Sequence, residues 1–272
     1  MTSDIMFISA GILSLLATWL IVACMRSGGD ATVKTQRNIT LLVGASVVCI
    51  LIAVLERGFI APTGLVLTLA TVAGFTILLV QNLFLLGMWQ HGVRGLGLLL
   101  LPFTAIPLLA IPFLPHTSSE QWVEAHSFLE TGHLLLSVVA YAILTMAALY
   151  AAMQIKLDNA LKNKQLGFFV QAMPPLADIS NYLFSHVRWA TWLLGLSILT
   201  GLGWQWIEMH HFALFNHKVL LALFAFIVLF MLNQMRDKAA WHHTLASKMV
   251  LVAYIVLILA YFGVKLIHNL NA

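Results

Sequence analysis

The 272-residue chain is 61% hydrophobic and only 9% charged, with a mean hydropathy of +0.95. Soluble domains carry about 25% charged residues, so a soluble globular protein is excluded and an integral membrane protein is implied. The net charge of +4 and the pI near 9.2 do not point to nucleic acid, because in membrane proteins Lys and Arg chiefly encode orientation.

Hydropathy predicts eight spans, at about 5–25, 39–55, 64–89, 95–114, 132–155, 187–208, 217–235 and 247–268. Each approaches the ~20 apolar residues that a helix needs to cross the hydrocarbon core. Ten-residue alternating patterns are absent, which disfavours a β-barrel. A spanning backbone must satisfy its own hydrogen bonds, leaving an all-α helical bundle. The first apolar run, Ile5 to Met25, lacks a basic n-region and reads as a retained helix. Cys24 and Cys49 both fall inside predicted spans without C-x-x-C spacing and read as buried small hydrophobes. The fourth span carries Pro102, Pro107 and Pro112 and should kink. The longest connection, Lys156 to Tyr182, reads as an amphipathic segment on the membrane surface with a Pro-Pro break. No internal repeat supports an inverted-repeat transporter. The expectation is a single integral membrane domain over residues 1–272.

Charge sets the orientation. One side receives Arg26, Lys34, Arg37, Arg94, Lys156, Lys162, Lys164, Arg188, Arg236, Lys238 and Lys248, and the other only Arg57, Lys218 and Lys265. The positive-inside rule then puts both termini outside, in the periplasm of a Gram-negative cell, and the chain in the bacterial inner membrane with lipid as its surroundings. The polar residues Gln81, Asn82, Tyr141, Thr145 and Asn233 fall inside spans and should hydrogen-bond across helices. No acidic residue lies mid-membrane, which counts against a proton-coupled pump.

Sorting the histidines by side isolates three. His133, His217 and His268 stand at the outer ends of three separate spans. A neutral imidazole ligates haem iron well, one ring nitrogen coordinating while the other is held by an acceptor. Two such rings on facing helices can clamp a porphyrin, with Trp204 and Trp206 as an aromatic wall. A transition metal suits the same imidazoles, although no H-x-x-x-H or H-E-x-x-H pair is present. Taken singly, each histidine also reads as a half-wet helix end, and the tryptophans as an interfacial belt.

The motifs GHLLLSVVAYAIL, TGLGWQW, NHKVLLALFAF and LAYFGVKLIH make the chain resemble the cytochrome c assembly family of membrane proteins, in particular its CcsA-like and YpjD-like members. The resemblance covers about residues 130–268, and the first four spans match only in hydropathy. It implies a haem-handling protein, with haem b ligated by His133 and, on a looser match, His268. Other cytochrome c assembly proteins are the partners it implies. Two departures stand out. The WGxxWxWD signature of full haem-delivery members is missing, and Asn233 occupies a position where those members place a further histidine. A rival expectation follows: a non-catalytic accessory that has lost haem and stabilises a partner such as an ion transporter. An electron-transferring cytochrome b is disfavoured, because His91, His186, His242 and His243 lie near the inner surface.

Overall fold

The computed structural model describes residues 2–26, 33–57, 60–61, 64–65, 68–91, 94–113, 128–164, 167, 170, 173–210, 217–235 and 243–260. Among these, eight α-helices follow in order: α1 Thr2–Arg26, α2 Val33–Glu56, α3 Leu69–His91, α4 Arg94–Ala110, α5 Phe128–Lys162, α6 Leu176–Met209, α7 His217–Met235 and α8 His243–Ile258. Two-residue extended segments, Ile60–Ala61 and Gly64–Leu65, separate α2 from α3. The chain is the all-α membrane bundle that its hydropathy requires. By length and composition, α1 to α5 and α7 can each cross a bilayer.

Among the described residues the largest departures from expectation are in α5 and α6, with smaller ones where α2 starts at Val33 rather than at residue 39 and α3 at Leu69 rather than at residue 64. α5 runs to Lys162, beyond the apolar run, and α6 begins at Leu176, well before residue 187. The predicted long surface connection is therefore mostly helix. Hydropathy marks where a segment leaves hydrocarbon, whereas helix continues while the residues favour it. Asp158 and Lys162, one turn apart and 2.7 Å between charged atoms, support the α5 extension.

The chain divides into two compact units, the first Met1–Pro62, Val66–Trp122 and Lys156–Pro175, the second Thr63–Leu65, Val123–Ile155 and Leu176–Ala272. The first unit holds α1 to α4. Phe7, Ile21, Ile50, Phe84, Leu100 and Leu108 are fully or almost fully buried there. Gly74 lets α3 approach α1 and α2, since a Cβ at that position would stand 2.9 Å from both Phe7 and Val54. Pro102 and Pro107 lie inside α4, which continues through both. Pro112 belongs to the 3-10 turn Ile111–Phe113 that ends it.

A polar hub joins all four of these helices. Gln81 donates through Nε2 to Ser14 Oγ at 2.9 Å and to Thr104 Oγ1 at 3.2 Å, and its Oε1 accepts from Ser46 Oγ at 3.0 Å. Ser14 and Thr104 pass their own hydrogens to the Ala10 and Leu101 carbonyls. Every hydrogen has a destination, and Ser14, Ser46 and Gln81 have no solvent exposure. Gln81 thus fulfils the expectation of cross-helix bonding, whereas Asn82 bonds to the Leu78 carbonyl of its own helix. At the end of the unit expected to face outward, Arg57 pairs with Asp4 and lies over the Phe7 ring.

In the second unit α5 is linked to both α6 and α8. Tyr141 donates to the Leu257 carbonyl, Thr145 and Tyr254 share a hydrogen bond, and Ser247 donates to Gln154. Asn233 of α7 donates to Thr191 of α6 at 2.8 Å.

Replacing Gln81 by Leu removes three cross-helix bonds while Ser14, Ser46 and Thr104 keep backbone acceptors. The expected loss is therefore modest, about 1–2 kcal/mol, read as a lower thermal midpoint in detergent. Gln81→Glu should cost more, because the hub has no cation for a carboxylate. An unchanged midpoint in both variants would overturn this account of the hub.

Candidate functional site

His133 lies in the second turn of α5, because the helix starts at Phe128 rather than at the edge of the apolar run. Its ring is half-buried against α6. Nδ1 is 2.7 Å from the carbonyl oxygen of Ser197 and 3.2 Å from Ser197 Oγ. A carbonyl can only accept, so Nδ1 carries the proton and Nε2 keeps its lone pair.

The hydroxyls around the ring have a forced direction. Ser137, one turn along α5, donates to the His133 carbonyl at 2.7 Å. Ser137 Oγ and Ser197 Oγ are also 2.7 Å apart. A serine has one hydrogen, so with that of Ser137 committed, Ser197 donates to Ser137. The result is a closed cycle in which imidazole N–H feeds Ser197, Ser197 feeds Ser137, and Ser137 feeds the His133 backbone. Among the described residues Nε2 has no hydrogen-bond partner.

Gly201 makes the approach possible. A Cβ there would stand 2.8 Å from both Nδ1 and Cε1 of His133, closer than any side chain could accept. Ser197 and Gly201 are one turn apart on α6 and present the same face to the ring. Trp204 lies two turns from Ser197 on that face and is half-buried. Trp206, half a turn further round, is 54% exposed. Glu130, one turn before His133, is buried at 9% exposure.

The other proposed ligands differ in what is described. His217 is the first residue of α7, and its side chain lies outside the described residues. His268 lies outside them altogether. Among the described residues no three of His, Cys, Asp and Glu cluster in a way that would hold a metal ion. A bare zinc site needs three or four protein donors. A porphyrin brings four nitrogens of its own and asks the protein for one or two axial ligands. The His133 arrangement fits the second demand.

His186, at the other end of α6, is built differently. Its Nδ1 bonds to the Tyr182 carbonyl of its own helix at 2.8 Å, and Tyr150 packs on its ring at 5.2 Å. His210 has a φ of 53° and its N–H bonds to the Trp206 carbonyl, which makes it the cap that ends α6. Sequence reasoning singled out His133 and the TGLGWQW motif but missed Ser137, Ser197 and Gly201 as one constellation. The four-residue spacings from His133 to Ser137 and from Ser197 to Gly201 put each pair on one helix face, but nothing in the sequence pairs the two faces.

No family model matches the chain. The inner membrane protein YpjD of Escherichia coli strain K12 is 33% identical over 183 residues, which make up 65% of this chain and 67% of that protein. The YpjD of strain O157:H7 matches to the same extent. A 28.8 kDa protein of the nifR3-like 5′ region of Azospirillum brasilense is 29% identical over 137 residues, 50% of this chain. The chain spans about half the length of that relative, 51%.

The hydrogen-bond cycle sets the tautomer of His133, and ¹⁵N spectra of the purified protein should show Nδ1 protonated and Nε2 bare at neutral pH. Gly201→Ala should displace the ring and abolish that signature. Ser197→Ala, which keeps the backbone carbonyl, should preserve it. A wild-type ring protonated on Nε2 would refute the assignment.

Proposed function

The chain belongs to the YpjD family of inner membrane proteins, and from that premise we propose that it binds haem b at the end of α5 expected to face the periplasm, with His133 as an axial ligand. One observation carries this reading. His133 has its Nδ1 proton committed to a backbone carbonyl and its Nε2 lone pair without a partner among the described residues. Metal-ligating histidines commonly have that second contact, which fixes the ring and raises the basicity of the donor nitrogen.

The protein's own part in such a site is orientation and exclusion of water. Ser197 and Ser137 hold the ring, Gly201 lets it lie against α6, and Trp204 offers an aromatic surface on the same face. A bound haem would supply the iron that Nε2 ligates. His268 is the second ligand in this proposal, on the resemblance of LAYFGVKLIH to the family's last span. His217 is the alternative ligand, whereas Trp206, half a turn round α6 from Trp204 and exposed, does not share the face that meets the ring.

A rival reading also has an observation behind it. Where the resemblance would put a further histidine, Asn233 is committed to Thr191 as a structural bond between α7 and α6. That favours a member which no longer moves haem and instead stabilises a partner membrane protein.

Haem titration of the detergent-purified protein should give a Soret band shifted from that of free haem. His133→Ala should weaken binding at least about tenfold, in line with the loss of a metal contact. His268→Ala should change the spectrum from six- to five-coordinate. Absence of the band, or equal binding by wild type and both variants, would reject the haem reading. Stoichiometric copurification of another membrane protein with no haem would support the rival.

A further inference from the structure

The outward stripe of α6 changes character along its length in the order of a bilayer cross-section. Ser185, Arg188, Trp189, Trp192, Leu196, Leu199, Trp206 and Glu208 are all exposed and follow one another at three- and four-residue steps over most of the run. The stripe reads polar and basic, then aromatic, then aliphatic, then aromatic, then acidic. Trp189 and Trp206 are seventeen residues apart, about 26 Å of helix. The hydrocarbon core is ~30 Å thick. Tryptophan favours the two boundaries of that core, so the two aromatic stations are spaced to occupy one boundary each. α6 therefore crosses the membrane, although it is not among the helices that qualify by hydropathy.

Arg188 stands just beyond the Trp189 and Trp192 station, on the side that carries eleven of the fourteen basic residues. It is exposed, and among the described residues it has no ion pair or hydrogen bond. Trp189 and Trp192 beside it are 62% and 74% exposed. A long cationic side chain at this depth extends its guanidinium toward the headgroups while its stem stays along the apolar surface. Guanidinium matches a phosphate diester with two parallel N–H donors. Two indoles on the same face offer flat contact to the glycerol and upper acyl chains.

We infer that Arg188, Trp189 and Trp192 form a binding site for an anionic phospholipid of the inner leaflet. The occupant is lipid rather than an acidic protein segment because the cation is contiguous with a stripe that is aliphatic for the next two turns. The net charge of the headgroup matters because zwitterionic lipids present a phosphate already paired with their own ammonium. Lys162, by contrast, is paired with Asp158 on α5. Lys164 is exposed, where the chain turns after α5 with a φ of 52°.

Native mass spectrometry of the full-length protein, titrated with phosphatidylglycerol or phosphatidylcholine, tests this. The expected result is tighter binding of phosphatidylglycerol, reduced roughly fivefold in Arg188→Gln, the factor that one basic residue contributes at an anionic surface. Lys164→Gln should keep the preference, and Arg188→Lys should keep part of it. Tryptophan quenching by brominated phosphatidylglycerol should fall in Trp189→Phe/Trp192→Phe, which retains the cation and provides a readout even if the arginine variants fail to fold. Equal affinity for the two lipids, an undiminished preference in Arg188→Gln, or an equal fall in Lys164→Gln would each overturn the site.

Discussion

The second unit of this protein is organised around one hydrogen bond, from the His133 imidazole to the Ser197 carbonyl at 2.7 Å. A helix carbonyl already accepts one bond from its own backbone, and that of Ser197 also accepts from Thr200 Oγ1 at 2.9 Å. Directing an imidazole at this oxygen requires two things. The ring must come within hydrogen-bond distance of the α6 backbone, and no side chain may intervene. Gly201 supplies the second condition. The serine pair supplies direction, because each hydroxyl has one hydrogen and that of Ser137 goes to the His133 carbonyl. The chemistry left over at Nε2 is thus a consequence of how α5 and α6 meet.

The two units handle buried polarity in contrasting ways. In the first, Gln81, Ser14, Ser46 and Thr104 are satisfied by one another and by the Ala10 and Leu101 carbonyls, so the hub reads as packing. In the second, polar residues are arrayed along α5 from His133 through Ser137, Tyr141 and Thr145 to Gln154, and their partners lie on two different helices. Satisfaction is incomplete there. Among the described residues neither the buried Gln154 Nε2 nor His133 Nε2 has a partner. Functional reasoning belongs to the unit with unused valence, and the first unit's closed network argues for a structural role.

The sequence made the bundle legible because lipid leaves few alternatives. A run of apolar residues long enough to span must be helical, and the helices fall close to where hydropathy predicts, with the largest departures at Lys162 and Leu176, where helix continues past hydrocarbon. The site was legible in part. His133 stood out because an imidazole at a helix end is chemically conspicuous. Ser137, Ser197 and Gly201 did not, since serine and glycine are common in membrane helices and acquire meaning only from a partner sixty residues distant. A contact between α5 and α6 is a property of packing, and no periodicity within either helix encodes its register.

The same packing accounts for the unusual composition of α6. Ser197, Thr200, Gly201, Gly203 and Gln205 lower its hydropathy together with Asp178, Asn181, His186, Arg188 and Glu208, and Ser197 and Gly201 border His133. A helix that gives its inward turns to small and polar side chains loses the hydrophobic surplus that would hold it in the bilayer. Its outward stripe restores the balance by a different means. Trp189, Trp192 and Trp206 anchor at the boundaries, where indole contributes favourably although hydropathy scales score it as nearly neutral. The approach of α6 to the half-buried His133 ring and the tryptophan stations on its outward stripe therefore occupy two faces of one helix.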